Sequence, residues 1–537
     1  MTEAQVAANR PLPRWHYPVA LALGAVNTLS FAPTPHGGWL QIVIITLLYL
    51  WLMRTKGCKS ALLTGWAFGF GHFVTGVWWL YVSMHFYGGL PALLAWTALA
   101  LLALLLGFFP ALAAAVWSYG ISLMETGKRC PSLQAGYRAV IFASAWALGE
   151  WLRGTLFTGL PWLASGYAQV DGPLAGFAPL AGVYGTGWVL ALVAALLAQA
   201  LCAIARRHPA RAIAPVCAAA LCLVAALALA RISWTRPAGA PISVRLLQGN
   251  VPQDMKFDPA NILRELDTLQ QALTAKPADL VVTPETAVPI PLVQVPFSFT
   301  SSLQHFADTT GTSILFGAVG ATLTPSGQMI RYTNSLFGIR PHDDAAQGYF
   351  RYDKHHLVPF GEFVPWGFHW FVQMMYIPQG DFARGHAVQA PFAVRGHFVS
   401  VDICYEDLFG EEIARNIRHN RVQPTILVNA SNLGWFGNTI ALDQHLQIAR
   451  MRTLETGRPM LQATNTGITA VIDARGQVRA KLRPFTVGAL DATVQGMTGL
   501  TPYVRSGNAP VLLVSLLCLM AALAFRQRSR PQQEPIR

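Results

Sequence analysis

A polytopic α-helical membrane bundle joined to a separate α/β domain is the fold class that the sequence predicts, and three observations predict it. The 537-residue chain is 53% hydrophobic and only 12% charged, a charged share well below that of soluble domains. Its acidic residues are unevenly divided. Glu3, Glu125, Glu150 and Asp171 precede residue 240, and the other 22 of the 26 follow it. From Ile242 onward the long apolar runs give way to short ones broken by turn residues, in a pattern of alternating strands and helices.

A membrane helix needs roughly 20 apolar residues. Eight runs qualify as candidates: Trp15–Ala32, Trp39–Met53, Ala61–Ser83, Leu90–Trp117, Ala139–Trp151, Phe177–Ala205, Ala212–Ala230 and Ala509–Phe525. The first follows Arg10 and Arg14 in the manner of a signal peptide. No A-x-A cleavage site follows it, and further runs do, so it reads as a retained helix. Orientation comes from the loop cations. Arg10 and Arg14, then Arg54, Lys56 and Lys59, then Lys128, Arg129 and Arg138, then Arg206, Arg207 and Arg211, and finally Arg526, Arg528 and Arg530 all fall on one side of an eight-span layout. That side is expected to be cytoplasmic. The expected organisation is a membrane domain over 1–231, an external domain over 232–507, and a last helix with a basic tail over 508–537.

The net charge of +13 raises nucleic acid as a partner. The cations sit at the ends of apolar runs, where topology explains them, and no stripe interleaved with aromatics occurs, so no nucleic-acid partner is expected. Of seven cysteines, four lie in apolar runs, Cys58 and Cys130 lie in basic loops, and Cys404 alone lies in the polar domain. It therefore has no disulfide partner there. After the fifth run come Glu150-Trp-Leu-Arg-Gly154 and the loop around Trp162. Glu150 and Arg153 are spaced to pair on a helix face. The stretch reads either as an interfacial anchor through Trp151 and Trp162 or as a surface that guides lipid. The Gly-rich third run, Gly65 to Gly71, reads as close helix packing.

In the polar domain, strands are expected at Ser243–Gln248, Leu280–Thr283, Ser313–Val319, Phe398–Ile403, Thr425–Asn429, Met460–Thr464 and Ile468–Ile472, with helices at Ala260–Leu273 and Ile440–Glu455. Glu285 and Cys404 follow strand-like runs, and Lys354 lies in Arg351–Glu362. Open α/β sheets gather their sites at strand ends. A cysteine becomes a nucleophile when a base takes its proton and a cation favours the thiolate, and the same cation can hold a tetrahedral oxyanion. Taken singly, each residue has a plainer reading: Cys404 a small buried hydrophobe, Glu285 a cap, Lys354 a solvated charge. A Cys–His arrangement using His355, His356, His369 or His445 is also open. No metal-ligand spacing and no phosphate-binding glycine loop occurs.

Several segments together resemble the apolipoprotein N-acyltransferases of the nitrilase superfamily. They are LLQGNVPQ (Leu246–Gln253), TPETAVP (Thr283–Pro289), YDKHHLVPFGEFVP (Tyr352–Pro365), ICYEDLFG (Ile403–Gly410), WFGNT (Trp435–Thr439), QHLQIARMRTLETGRP (Gln444–Pro459), TNTGITAVID (Thr464–Asp473) and TGLTPYVRSGN (Thr498–Asn508). The resemblance implies a nitrilase-like αββα sandwich on the bundle of about eight helices. It implies Glu285 as general base, Lys354 as the oxyanion-stabilising lysine and Cys404 as nucleophile. Glu362 would be an auxiliary carboxylate, Tyr405 and Glu406 supports for the nucleophile, and Phe257 and Trp435 substrate-binding residues. Phe257 stands where the family often has Trp, and Asn432-Leu-Gly-Trp435 departs from the usual Asn-Asp-x-Trp. The implied reaction moves a fatty acyl chain from a membrane phospholipid, phosphatidylethanolamine by resemblance, through a cysteine thioester to the N-terminal amine of a diacylglyceryl apolipoprotein. It needs no metal or organic cofactor. The implied setting is a monomer in the bacterial inner membrane, multi-pass, in contact with membrane lipids and with its catalytic domain in the periplasm. A membrane-tethered nitrilase-type amidase is the alternative. The aromatic, Met-rich stretch Phe363–Arg384, with Trp366, Trp370, Phe371, Met374 and Met375, reads either as a membrane-facing lid or as core.

Overall fold

The computed structural model describes residues 15–123, 131–253, 255–256, 260–324, 326–344, 348–373 and 381–528. They form two compact units. One takes in residues up to Trp78, Trp96–Ile232 and Ser506 onward, and the other Trp79–Ala95 and Ser233–Arg505.

The first unit is helical. Helices at His16–Asn27, Gly37–Leu52, Gly57–Gly76, Ala92–Ser122, Pro131–Arg153, Ala178–Ala205, Ala210–Arg231 and Ala509–Arg528 fall on the apolar runs of the sequence. Among the described residues, three helices are long and apolar enough to cross a membrane: Ala92–Ser122, Ala175–Ala205 and Ala210–Arg231. The others are shorter or more polar. Large apolar side chains such as Leu101, Leu221, Val224 and Leu227 are exposed, an outward face that suits lipid and not water. The glycines of the third run pack as expected. A Cβ on Gly71 would strike the Leu21 carbonyl, and one on Gly69 would lie 2.7 Å from the Gly107 Cα. Bare backbone lets helix axes approach this closely. Glu150 and Arg153 are both buried but reach different partners. Glu150 accepts from the Ser165 amide and hydroxyl at 2.8 and 2.6 Å, and Arg153 donates to the Leu160 and Trp162 carbonyls. Trp162 is core at 3% exposure, which removes it as an interfacial anchor. Of the cations used for orientation, Arg10, Arg14, Lys128, Arg129 and Arg530 lie outside the described residues, as does Cys130.

The second unit is a four-layer sandwich. One sheet runs in the order Gly488–Val494, Ile242–Gln248, Leu280–Val282, Ser313–Leu323, Met329–Ile339, Phe350–Asp353, with Val288–Pro291 also pairing on Ser313–Leu323. The other runs Val478–Lys481, Ala470–Ile472, Met460–Thr464, Ile426–Ser431, His397–Ile403, Phe392–Val394. Strand alternation divides the apolar residues between two faces. Leu280, Val282 and Leu315 join Val399, Val401, Val428 and Leu461 between the sheets. Val281, Ile314 and Phe316 face the other way and cluster with Leu266 and Leu273 of the helix Ile262–Thr274 and Phe299 and Leu303 of Phe297–Thr310. On the far side, Leu427 and Met460 cluster with Ile413 and Ile417 of Gly410–His419 and Leu442 and Leu446 of Ala441–Thr456. The αββα layering expected of the polar domain is thus present.

The strands Met329–Ile339, Phe350–Asp353, Phe392–Val394, Val478–Lys481 and Gly488–Val494 go beyond the expected set. Several have a wet face that dilutes the apolar signal. Met329–Tyr332, for example, is half-buried to exposed throughout. The segment Trp79–Ala95, part of two apolar runs in the sequence, belongs to this unit. Trp79 lies 4.4 Å from Phe436, ring to ring, and Leu90 clusters with Val372 and Phe371.

Candidate active site

Glu285, Lys354 and Cys404 each stand just past the carboxyl end of a strand: Leu280–Val282, Phe350–Asp353 and His397–Ile403 respectively. The turn that carries Glu285 rides close over Gly317, where a Cβ would sit 2.5 Å from the Pro284 carbonyl and 2.6 Å from the Thr286 nitrogen. Only glycine admits that approach. Cys404 has φ +52, a left-handed conformation uncommon for a non-glycine residue and typical of strained functional turns. It opens the 3-10 turn Cys404–Leu408.

Glu285 and Lys354 come together with the expected Glu362 and with Asn334, a partner that the sequence reading does not reach. Lys354 Nζ lies 3.2 Å from Glu285 Oε1 and 2.9 Å from Glu362 Oε1. Asn334 Nδ2 donates to the same two oxygens, at 2.7 Å each. Two carboxylates therefore share one ammonium and one amide, all buried. The second oxygen of Glu285 accepts from the Asn432 amide at 2.8 Å. The Asn432 backbone is also close enough to the Cys404 thiol to pull its pKa down. The second oxygen of Glu362 accepts from the Val358 amide at 2.8 Å, which fixes the loop after Lys354.

Charge follows from this geometry. Burial pushes the Glu285 carboxyl up, but the Lys354 ammonium, the Asn334 amide and Lys256 more than reverse it and hold it below its ordinary value. Burial would lower Lys354, and Glu285 and Glu362 instead hold it well above the ordinary lysine range. Burial and the Glu285 carboxylate raise the Cys404 thiol far above its ordinary value, against the pull of Lys354. The resting site is thus a thiol, a carboxylate and an ammonium.

The supporting residues are placed as follows. Glu406 accepts from the amides of Ile403, His355 and His356 at 2.7, 2.7 and 3.1 Å and from the Tyr352 hydroxyl at 2.9 Å. It ties the nucleophile turn to the lysine loop. Tyr405 points the other way, into an aromatic cluster with His356 and Phe409. Trp435 meets Tyr87 edge to face at 5.7 Å. Phe257 lies outside the described residues, as do Met374 and Met375. Within the stretch after Glu362, Phe371 and Val372 pack inward, while Trp366 and Trp370 are 96% and 62% exposed. The stretch is both core and surface. The histidines do not serve the thiol. His355 bonds to the Gly385 carbonyl at 2.8 Å, and His356 stacks on Phe409. His445 Nδ1 accepts from Gln462 Nε2 at 2.7 Å, and burial holds its pKa down at about 4. At Asn432-Leu-Gly-Trp435, Leu433 is buried, and Asn432 donates to Gln253 Oε1 at 2.9 Å while its own oxygen accepts from Asn465 at 3.2 Å.

A second lysine, Lys256, is 3% exposed, and its Nζ donates to the Glu285 carbonyl at 3.1 Å. Its one sequence signal is its position directly before Phe257.

Two family models match the chain: the apolipoprotein N-acyltransferase N-terminal domain over residues 23–196 and the carbon-nitrogen hydrolase over residues 243–503. Among curated proteins, the apolipoprotein N-acyltransferase of Ralstonia nicotianae is 50% identical over 98% of this chain and 97% of its own length. That of Bordetella bronchiseptica is 44% identical over 96% of this chain and 98% of its own, and that of Nitrosomonas europaea 41% over 94% and 96%. With a carbon-nitrogen hydrolase sandwich at its centre and relatives this similar along nearly its whole length, the chain belongs to the apolipoprotein N-acyltransferase family.

Proposed function

We propose that this member of the family acylates the N-terminal amine of S-diacylglyceryl-cysteine apolipoproteins, with a membrane phospholipid as acyl donor and Cys404 as the covalent carrier. The observation that carries this reading is the shared grip of Lys354 and Asn334 on Glu285 and Glu362, with Glu285 and Lys354 the strongest charges acting on the Cys404 thiol.

Glu285 takes the thiol proton as the sulfur attacks the ester carbonyl carbon. Once protonated, Glu285 loosens its hold on Lys354, which turns an N–H to the oxyanion while Glu362 keeps it charged and in place. The carbon–oxygen bond breaks, Glu285 returns its proton to the leaving glycerol oxygen, and lysophospholipid departs from a thioester. The lipoprotein amine then attacks the thioester carbonyl, Glu285 accepts its proton, and the thiol is regenerated with the amide bond formed. Glu406 and Tyr405 steady the nucleophile turn, and Trp435 contacts substrate.

In this reading all eight apolar helices cross the bacterial inner membrane, the residues 232–507 face the periplasm, and the protein works as a monomer. Two lipid-anchored substrates then reach the site at high local concentration. Phosphatidylethanolamine is the donor to try first. The test is intact mass. The purified full-length protein mixed with phospholipid is expected to gain one fatty-acyl group on Cys404, and Cys404→Ser and Cys404→Ala to gain none there. An undiminished adduct in those variants overturns the assignment. The match of residues 243–503 to carbon-nitrogen hydrolases keeps a membrane-tethered amidase as second reading, which predicts a short acyl mass from a small amide instead.

A further inference from the structure

The two lysines of the site differ in how their charge is met. Lys354 is gripped by two carboxylates. Lys256 is as deeply buried, yet among the described residues no carboxylate comes within ion-pair distance of it. Its one hydrogen-bond acceptor is the main-chain oxygen of Glu285, at 3.1 Å. An ammonium carries three donors, so most of its capacity is unspent. Burying a charge without an ionic partner is costly. Burial accordingly drags its pKa down to about 8, against the pull of Glu285, Glu265 and Cys404. At neutral pH it still carries its proton for most of the time. A charged ammonium that meets only one acceptor among the described residues, on the Glu285 turn, offers a place for an anionic oxygen of the ligand.

The uncharged ester carbonyl and the amine of the acceptor supply no such oxygen. The oxyanion that forms during attack is the task of Lys354. The phosphodiester of a glycerophospholipid does supply one. It is permanently anionic and a few bonds from the acyl ester.

We propose that Lys256 binds the phosphodiester of the acyl donor and so selects phospholipid over a neutral acylglycerol in the first half-reaction. This rests on the reading of Cys404 as a carrier loaded from phospholipid. The contact would be a charge-assisted hydrogen bond, of the strength that separates affinities by about tenfold to a hundredfold.

The experiment compares thioester formation on full-length protein in mixed micelles containing either phosphatidylethanolamine or diacylglycerol, which offers the same ester without a phosphate. The unaltered protein is expected to load faster from the phospholipid. In Lys256→Met the ratio of the two rates is expected to fall by about tenfold or more, mainly through the donor concentration needed for half-maximal loading. Lys256→Arg, which keeps a cation, is expected to retain most of the ratio. Equal losses on both donors in Lys256→Met would overturn the proposal, since the lysine would then merely hold the Glu285 turn. An unaltered protein that loads equally well from both lipids would overturn it without any variant. If the unaltered protein takes no acyl group from phospholipid but loads from diacylglycerol, the donor reading itself has failed. Loading from phospholipid with no change in the ratio on substitution leaves that reading standing and sinks only the role of Lys256.

Discussion

In the helical unit the buried polar side chains mostly meet as neutral pairs. His16 lies 3.2 Å from the Thr64 hydroxyl, Gln169 donates to Gln41 at 3.1 Å, and Gln199 donates to the Tyr49 hydroxyl at 3.0 Å. In the sandwich unit buried ion pairs occur as well: Glu285 and Glu362 with Lys354 at the site, and elsewhere Arg452 with Glu455 at 3.0 Å. A neutral pair gives up little solvation and gains little, so it serves to register helices in an apolar surrounding. A buried charge is expensive and stable only while its partners remain. Removing one member of such an ion pair is therefore expected to hurt far more than removing half of a neutral pair.

Lys354→Met gives the largest expected effect. It deletes the oxyanion donor of the proposed mechanism and leaves Glu285 and Glu362 without the ammonium they share. Thioester formation is expected to fall by about a thousandfold or more, and the sandwich to lose about 3–5 kcal/mol. Intact mass and thermal unfolding check the two parts. Gly71→Leu comes next and tests the helical unit by sterics alone. Its side chain has to displace the Leu21 backbone, at a cost of about 1–3 kcal/mol. Gln199→Leu, which orphans only one hydroxyl, is expected to cost about 1 kcal/mol. If Gln199→Leu destabilises as much as Lys354→Met, the contrast between the two units is wrong.

Asn334→Ala sharpens the comparison inside the site. In the proposed mechanism Glu285 takes a proton only when ionised, and its depressed pKa keeps it ionised below the ordinary carboxylate range. Loading is thus expected to fail only as pH drops through that depressed value. Without the Asn334 amide the failure should begin at higher pH. A pH profile of the loading rate reads this directly, and an acid limb that stays put or moves down removes Asn334 from the account.

The legibility of the two units differs for the same physical reason. In the helical unit, apolar runs give the helices, because composition alone sets a lipid-facing segment. They do not give the register, which depends on which backbones can touch, as at Gly71 and Leu21. In the sandwich, Glu285, Lys354 and Cys404 are legible because each stands in a distinctive motif at a strand end. Asn334 is not. It lies inside Met329–Ile339, and nothing local marks an asparagine whose partners are 49 and 28 residues away. Asn432 acts at the site through its backbone amide, which any residue type supplies. Val288–Pro291, with two prolines in four residues, is disfavoured as a strand by its own sequence and is held by Ser313–Leu323 instead. Trp79–Ala95 reads as membrane because its residues are apolar, yet its rings are spent on Phe436 and Trp435.

The last comparison concerns a carboxyl that the sandwich buries away from Glu285, Lys354 and Glu362. Asp407 is fully buried, among the described residues its two oxygens lack a hydrogen-bond partner, and His445 Nε2 is 3.4 Å away. Burial and then the Asp402 carboxyl raise its pKa well above the ordinary value, against the pull of Arg452. A carboxyl that keeps its proton in the fold but loses it in the unfolded chain favours the fold only at low pH. That contribution is complete below the unfolded pKa of about 3.9 and is lost progressively as pH rises towards the folded value. Asp407→Asn keeps the shape and removes the titration. The variant is expected to match the parent near pH 4 and to be the more stable of the two by a margin that widens through neutral pH, at up to about 1.4 kcal/mol per unit. Thermal midpoints of both proteins at pH 4.5, 6 and 7.5 (about one and a half units apart) give the answer. A margin that is flat with pH would mean that Asp407 ionises in the fold, and that the sandwich tolerates a naked buried charge as readily as a paired one.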